Sequence, residues 1–183
     1  MASMQNLTFI TGNPNKVKYV TEWLGMPLKH HKLDVDEIQS LDLHEIVEHK
    51  VRQAYDVLQS PVLVEDASLT LTAMGRLPGT YIKWFIEELG IEGLHKLATG
   101  LEHQQAVGRV CYGLHTGIQV YFFDGEMRGR IATEPRGNGG FGFDKIFIND
   151  GFTITRAEMA AADYAETSYR MDGLRKLRTF LSA

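Results

Sequence analysis

Leu7-Thr8-Phe9-Ile10-Thr11-Gly12-Asn13-Pro14-Asn15-Lys16 is the stretch on which the fold turns. A short apolar run, Leu7 to Ile10, breaks at a Gly/Asn/Pro turn and leads into a segment where Val17, Val20, Trp23 and Leu24 recur at helical spacing. Pro14 suits the first turn of that helix, Gly25 its stop, and Pro27 blocks continuation. A strand that turns directly into a helix offers free backbone N–H groups and the positive end of the helix dipole to an anion. Lys16 adds a mobile ammonium. The turn reads as a phosphate cradle, although Gly-Asn-Pro turns also serve as plain connections.

Outward from this stretch, helices and strands alternate. Leu28 to Val35 reads as extended and ends in the acidic group Asp34, Asp36 and Glu37. Leu43, Ile46, Val47, Lys50, Val51, Ala54, Tyr55 and Leu58 keep the 3.6 period, with Asp42 as N-cap. Pro61 to Val64 is a continuous apolar run of the type buried in an α/β core, and it is expected to end at Glu65-Asp66. Gly75 to Gly79 is a turn-rich break. Ile82, Phe85, Ile86 and Leu89 mark a helix ended by Gly90, and Leu94, Leu97 and Leu101 a second short one. The period then changes to two: Val107 to Leu114 and Val120 to Phe123 form an antiparallel hairpin, with Gly129 to Ile131 as a third strand. A glycine-rich loop, Pro135 to Asp144, precedes a strand at Ile146 to Ile148. A closing helix from about Thr167 carries Met171, Leu174, Leu177 and Leu181. The expected fold is α/β, a mixed sheet flanked by helices within one domain over residues 1–183. Met1-Ala2-Ser3-Met4 are set aside from fold reasoning.

Composition narrows the function. With Lys+Arg 19 against Asp+Glu 23, the chain has no global basic field, so nucleic-acid binding by bulk charge is not expected. An anionic substrate would need local cations. The single cysteine, Cys111, has no internal partner, fits a reducing compartment and reads as a buried, inert thiol. No apolar run approaches the ~18 residues of a membrane span, and no charged region followed by an apolar core opens the chain; the expected location is the cytoplasm.

The chemistry-bearing residues are few. The G-x-x-x-x-G-K-[ST] and G-x-G-x-x-G loops are absent, and Gly137 to Gly142 follows no strand-to-helix pattern. Glu65 and Asp66, with Asp36 and Glu37 as distant partners, suit a hard cation such as Mg²⁺ or Mn²⁺, or else a solvated strand end. Such a metal would offset phosphate charge and leave a carboxylate to activate water. The histidines have no metal-ligand spacing and read as surface residues: His44 and His49 are off one helical face. No G-x-S-x-G elbow occurs. Phe141 and Phe143 flank a glycine, which would let ring faces approach a flat ligand or simply pack in the core.

Taken in order, Thr11-Gly12-Asn13 with Lys16, Val64-Glu65-Asp66, Leu77-Pro78-Gly79 with Tyr81 to Phe85, Gly129-Arg130-Ile131, Phe141-Gly142-Phe143-Asp144, Ala157-Glu158-Met159 and Ser168-Tyr169-Arg170 resemble the inosine triphosphate pyrophosphatase family. The likeness covers essentially the whole chain. It implies an elongated mixed α/β fold of two lobes with a central cleft, usually a homodimer. The activity it implies is Mg²⁺-dependent hydrolysis of non-standard purine triphosphates (ITP, dITP, XTP) to monophosphate and pyrophosphate. Carried over by residue, Thr11, Gly12, Asn13 and Lys16 would bind the triphosphate, Lys16 also assisting catalysis, and Lys50 would stand near the phosphates. Glu37 and Asp66 would hold the metal, Asp66 also being the base for the attacking water, with Ala67 at the substrate-binding position after it. Phe141, Gly142, Phe143 and Asp144 would line the base pocket, with Tyr169 and Arg170 at the purine edge.

This sequence departs from the family pattern mainly in the base-recognition half. Phe143 replaces Trp or Tyr, Lys145 replaces Pro, Tyr164 replaces Lys, Tyr169 replaces His, and Ala67 replaces Ser or Thr. A changed set of donors alters which exocyclic groups can be paired, so shifted or relaxed base specificity is expected. Two rivals remain: a Maf-like house-cleaning pyrophosphatase for other or modified triphosphates, and a nucleotide-binding protein without turnover.

Overall fold

The computed structural model describes residues 6–183, so the four residues set aside at the N-terminus lie outside it. The described residues fall into two compact units. The first gathers the chain up to Ala67, Val110–Gly125 and Arg170–Ala183; the second gathers Ser68–Arg109 and Glu126–Tyr169.

In the first unit the opening stretch forms β1 (Thr8–Ile10) and α1 (Pro14–Leu24), as its apolar run and turn residues require. The exposed β2 (Lys29–His31) pairs parallel with β1 on one side, and β3 (Val62–Leu71) pairs parallel with it on the other. α2 (Leu43–Leu58) starts at Asp42, whose side chain accepts from the His44 N–H, and buries Ile46, Val47, Val51 and Ala54. That stripe packs on Ile10, Val62, Val64 and Cys111, so Cys111 is a core thiol as expected. Burial, with the Asp124 carboxylate beside it, pushes the thiol well above its ordinary pKa.

Among the described residues the sheet has seven strands in the order β2-β1-β3, then β5 (Gln105–His115), β6 (Val120–Ile131) and β7 (Phe147–Asn149). The short β4 (Pro78–Gly79) pairs with β3 off this path. Parallel pairs at β1 and antiparallel pairs at β3–β4 and β6–β7 make the sheet mixed. α3 (Ile82–Thr99) is broken at Gly90, whose φ of 66° and ψ of 178° separate the two helical pieces read from the sequence. None of the described helices is long and apolar enough to cross a membrane.

Three local expectations change, and one short helix is added. β3 does not stop at Glu65-Asp66 but runs through to Leu71, its far end pairing with Pro78 and Gly79, while each carboxylate finds a cation beside the sheet. Gly129 to Ile131 is the end of β6 and not a separate strand. From Phe123 to Ile131 alternate residues are buried, two of them glycines, and the intervening Asp124, Glu126, Arg128 and Arg130 are exposed. The glycines blur the apolar period that would have revealed one long strand. The closing helix is α5 (Tyr169–Ser182), close to the expected start at Thr167, and a short additional helix, α4 (Ala161–Glu166), precedes it; α4 buries no residue and leaves no apolar stripe to read. Not every histidine is at the surface: His115 is buried and stacked on Tyr55, with ring centroids 3.9 Å apart.

Gly129 faces Asn149 in the β6–β7 ladder, and a Cβ there would overlap the Ile148 carbonyl oxygen and stand 2.8 Å from the Phe147 ring. Backbone cannot yield as a side chain can. Gly129→Ala should therefore destabilise by about 3 kcal/mol, the upper end for overpacking, read as a lower urea midpoint at unchanged m-value.

Candidate functional site

In a strand, consecutive side chains point to opposite faces. Val62 and Val64 face α2, so Asp66 does too, while Glu65 is turned the other way. Adjacent carboxylates thus acquire separate partners.

On the α2 face, Lys50 Nζ lies 2.6 Å from Asp66 Oδ2 and 3.1 Å from Glu37 Oε1. Ala67 contributes its backbone: its N–H donates to Asp66 Oδ1 at 2.8 Å, a bond that needs no hydroxyl at this position. The loop carrying Glu37 is held to α2 by the Asp36 N–H, which donates to Gln53 Oε1 at 3.1 Å. Burial works to lower the Lys50 pKa, but Asp66 and Glu37 outweigh it and hold the ammonium above its ordinary value. Two carboxylates converging on the Lys50 ammonium are hard oxygen donors of the kind Mg²⁺ or Mn²⁺ takes.

On the opposite face Glu65 is fully enclosed. Lys16 Nζ lies 3.2 Å from Oε2, and Arg170 Nε 3.5 Å from Oε1. Burial alone would raise this carboxyl; Lys16 and Arg170 overcome it and hold the pKa below the usual carboxylate value. Lys16 comes from the start of α1, where the Thr11 hydroxyl accepts from the Asn13 N–H at 3.1 Å and the Asn13 carbonyl accepts from the Lys16 N–H at 3.1 Å. The Thr11 N–H is tied to the His31 carbonyl at 3.1 Å. Gly12 is exposed between these anchors. The turn is built from its own polar groups, and Glu65 orients its lysine.

Phe141, Gly142, Phe143, Asp144 and Tyr169 belong to the second unit. Phe143 packs on Phe147, whereas Phe141 is half exposed. The Asp144 carboxylate is filled by this chain's own donors. Arg156 Nε lies 3.1 Å from Oδ1, while the Phe141 N–H and the Tyr164 hydroxyl donate to Oδ2 at 2.9 and 2.8 Å. Arg156 is 1 % exposed, donates further to Asn149 Oδ1 at 2.9 Å, and stacks its guanidinium 4.2 Å from the centre of the Tyr164 ring. Burial and the Asp144 charge push the Tyr164 phenol far above its ordinary pKa, so it remains a donor. Tyr169 is buried.

The structure therefore joins Lys50, Asp66 and Glu37, and joins Lys16 to Arg170 through Glu65. Sequence reasoning missed two functions, Glu65 as the clamp on Lys16 and Arg156 as the partner of Asp144. Strand alternation beside two lysine-bearing helices could have flagged the first. Arg156 lies in a loop, and nothing local marked it.

The molecule is of the mixed α/β class, with a lysine-bearing strand-to-helix turn held at Glu65 on one face of β3 and a carboxylate–ammonium cluster at Asp66 on the other. The Ham1 family model matches residues 7–180, and the chain belongs to that family. It is 35% identical over 187 residues to an inosine triphosphate pyrophosphatase of Schizosaccharomyces pombe, covering 100% of this chain and 98% of the relative. It is 39% identical over 181 residues to inosine triphosphate pyrophosphatase 2 of Trypanosoma cruzi, covering 97% and 92%. A HAM1 protein from Coxiella burnetii shares the fold at a TM-score of 0.86 and 24% identity, covering 97% of this chain and 98% of that one.

Two outcomes follow from the buried charges. Glu65 has a depressed folded pKa, so its contribution is present above the unfolded value of 4.5 and is lost as pH falls through the folded one. The acid limb of stability against pH should be shallower in Glu65→Gln than in the parent, measured by urea unfolding at stepped pH below 4.5. Arg156→Ala leaves the Asp144 carboxylate buried without its cation and should cost about 3–5 kcal/mol, seen as a lower denaturation midpoint.

Proposed function

We propose that the protein is a Mg²⁺-dependent nucleoside triphosphate pyrophosphatase that hydrolyses non-standard purine triphosphates (ITP, dITP, XTP) to the monophosphate and pyrophosphate. The observation that carries this reading is the sharing of one ammonium, Lys50, by Asp66 and Glu37. It sets a base, a cation and a second carboxylate within reach of one another on a scaffold whose relatives bear this activity in their names. Thr11, Gly12, Asn13 and Lys16 bind phosphate oxygens. Lys50 offsets charge that builds up as the bond to the leaving group breaks. Asp66 accepts the proton of a water whose oxygen attacks the α-phosphorus; the bond from that phosphorus to the bridging oxygen breaks, and pyrophosphate leaves. Glu37 and Asp66 hold the metal, which when bound neutralises triphosphate charge.

Base preference is the part we read as changed. Asp144 is occupied by Arg156, Tyr164 and the Phe141 N–H, so its carboxylate offers little to a purine edge. Phe141 is half exposed, and an aromatic face stacks bases with little sequence preference. The protein then discriminates weakly between non-standard and ordinary triphosphates. We further take it to act as a homodimer in the cytoplasm, following the family resemblance and the unpaired Cys111; size-exclusion chromatography with light scattering checks the dimer.

The deciding experiment is a triphosphate panel with the full chain and Mg²⁺, products resolved as pyrophosphate or orthophosphate. Pyrophosphate in equal amount to monophosphate is expected, with loss on chelation. Asp66→Asn should lower kcat by about 10²–10⁴-fold while retaining nucleotide binding. Orthophosphate as product, or an unaffected Asp66→Asn, refutes the enzyme assignment. Hydrolysis of ITP, XTP and dITP each far faster than every other triphosphate refutes the relaxed base preference alone.

A further inference from the structure

The first unit holds another cluster of donors, different in kind from the all-oxygen pair at Glu37 and Asp66. His44 stands in the first turn of α2, three residues before the buried Val47, and therefore on the stripe that covers the sheet. Cys111 on β5 is part of the core beneath that stripe. On β6, Phe122 and Asp124 are two residues apart and share one face. The His44 ring stacks on Phe122 with centroids 4.7 Å apart and planes 10° from parallel, and its Nε2 lies 2.8 Å from Asp124 Oδ1. The Asp124 carbonyl accepts from Lys176 Nζ at 2.6 Å, which anchors that stretch of β6 to α5. A ring nitrogen of His44, Cys111 Sγ and a carboxylate oxygen of Asp124 all lie within 4.8 Å of one another.

An imidazole, a thiol and a carboxylate gathered in this way match the donors of a tetrahedral Zn²⁺ site, where three protein ligands leave one position for water. Bond lengths of about 2.0–2.3 Å put tetrahedral ligands within about 4 Å of one another, so the cluster needs only small rotations. His44 and Asp124 are both exposed, so those rotations fall to them, while the thiol below is fixed by the core. Mg²⁺ has little use for sulfur or imidazole, which separates this cluster from Glu37 and Asp66.

We propose that His44, Cys111 and Asp124 form a second cation site that takes a borderline-soft divalent ion of the Zn²⁺ type. On binding, the S–H bond breaks, its electron pair goes to the metal–sulfur bond and the proton leaves to solvent. The site sits over the core that α2 closes, so its occupation pins the first turn of α2 to β5 and β6. None of this depends on nucleotide hydrolysis.

Co²⁺ titrated into the reduced full chain is the test, because Cys111 is the sole cysteine and any thiolate signal belongs to it. One equivalent of Co²⁺ should produce a thiolate-to-metal charge-transfer band in the near ultraviolet together with tetrahedral absorption in the visible. Stoichiometric Zn²⁺ should abolish both, and excess Mg²⁺ should leave them. Cys111→Ser should remove the charge-transfer band. His44→Ala, an exposed substitution that leaves the core intact, should weaken Co²⁺ binding at least about tenfold with unchanged circular dichroism. Absence of the band in the parent chain overturns the proposal, as does undiminished Co²⁺ affinity in His44→Ala.

Discussion

Two carboxylates at neighbouring positions of a strand cannot share a partner, because the pleat sends them to opposite faces of the sheet. Glu65 and Asp66 occupy such positions in β3, and much of the first unit is arranged to answer them. On one face, α1 brings Lys16 and α5 brings Arg170 to an enclosed Glu65. On the other, α2 brings Lys50 to Asp66, and a loop adds Glu37. A buried carboxylate without a cation would cost several kcal/mol, so these helices are bound to the sheet by charge as well as by apolar packing. The same arrangement aims two ammonium groups from fixed backbone and leaves Asp66 and Glu37 partly open to solvent.

The charge economy differs in the second unit. Arg156 and Asp144 are both deeply buried, and Tyr164, Asn149 and the Phe141 N–H complete their hydrogen bonds. A pair so fully satisfied ties the glycine-rich loop to the segment before α4. Gly140 belongs to the same design: its φ is 69°, and a Cβ there would collide with the Asp144 carboxylate. What the loop gains in order it loses in free polar edge. Tyr164 connects these two facts, since a phenol that stays protonated donates to Asp144, whereas an ammonium in its place would bring a second charge.

Elements with a clean period were legible in the sequence. β1, α1 and α2 carry apolar residues at their characteristic spacing, and Asp42 caps α2 as its position suggested. The Gly90 break in α3 was legible for a related reason, since glycine releases the backbone wherever it stands. Where polar residues or glycines fill strand positions, the period disappears. β3 continues past its carboxylates and β6 past its glycines because partners distant in the chain satisfy or exclude what local propensity would penalise.

For the site, the sequence by itself determined the chemical inventory: a strand-to-helix turn with Lys16, a carboxylate pair at Glu65 and Asp66, and an acidic group ending at Glu37. Order along the chain was enough for the family resemblance, because motif spacing is a property of the sequence alone. Only the tertiary structure decided which groups meet. It turned Glu65 away from Asp66, set Lys50 between Asp66 and Glu37, used up Asp144 on Arg156, and gathered His44, Cys111 and Asp124. Those pairings span many residues and depend on which face of a strand or helix each side chain occupies, which is set when the elements pack and is not written in their spacing.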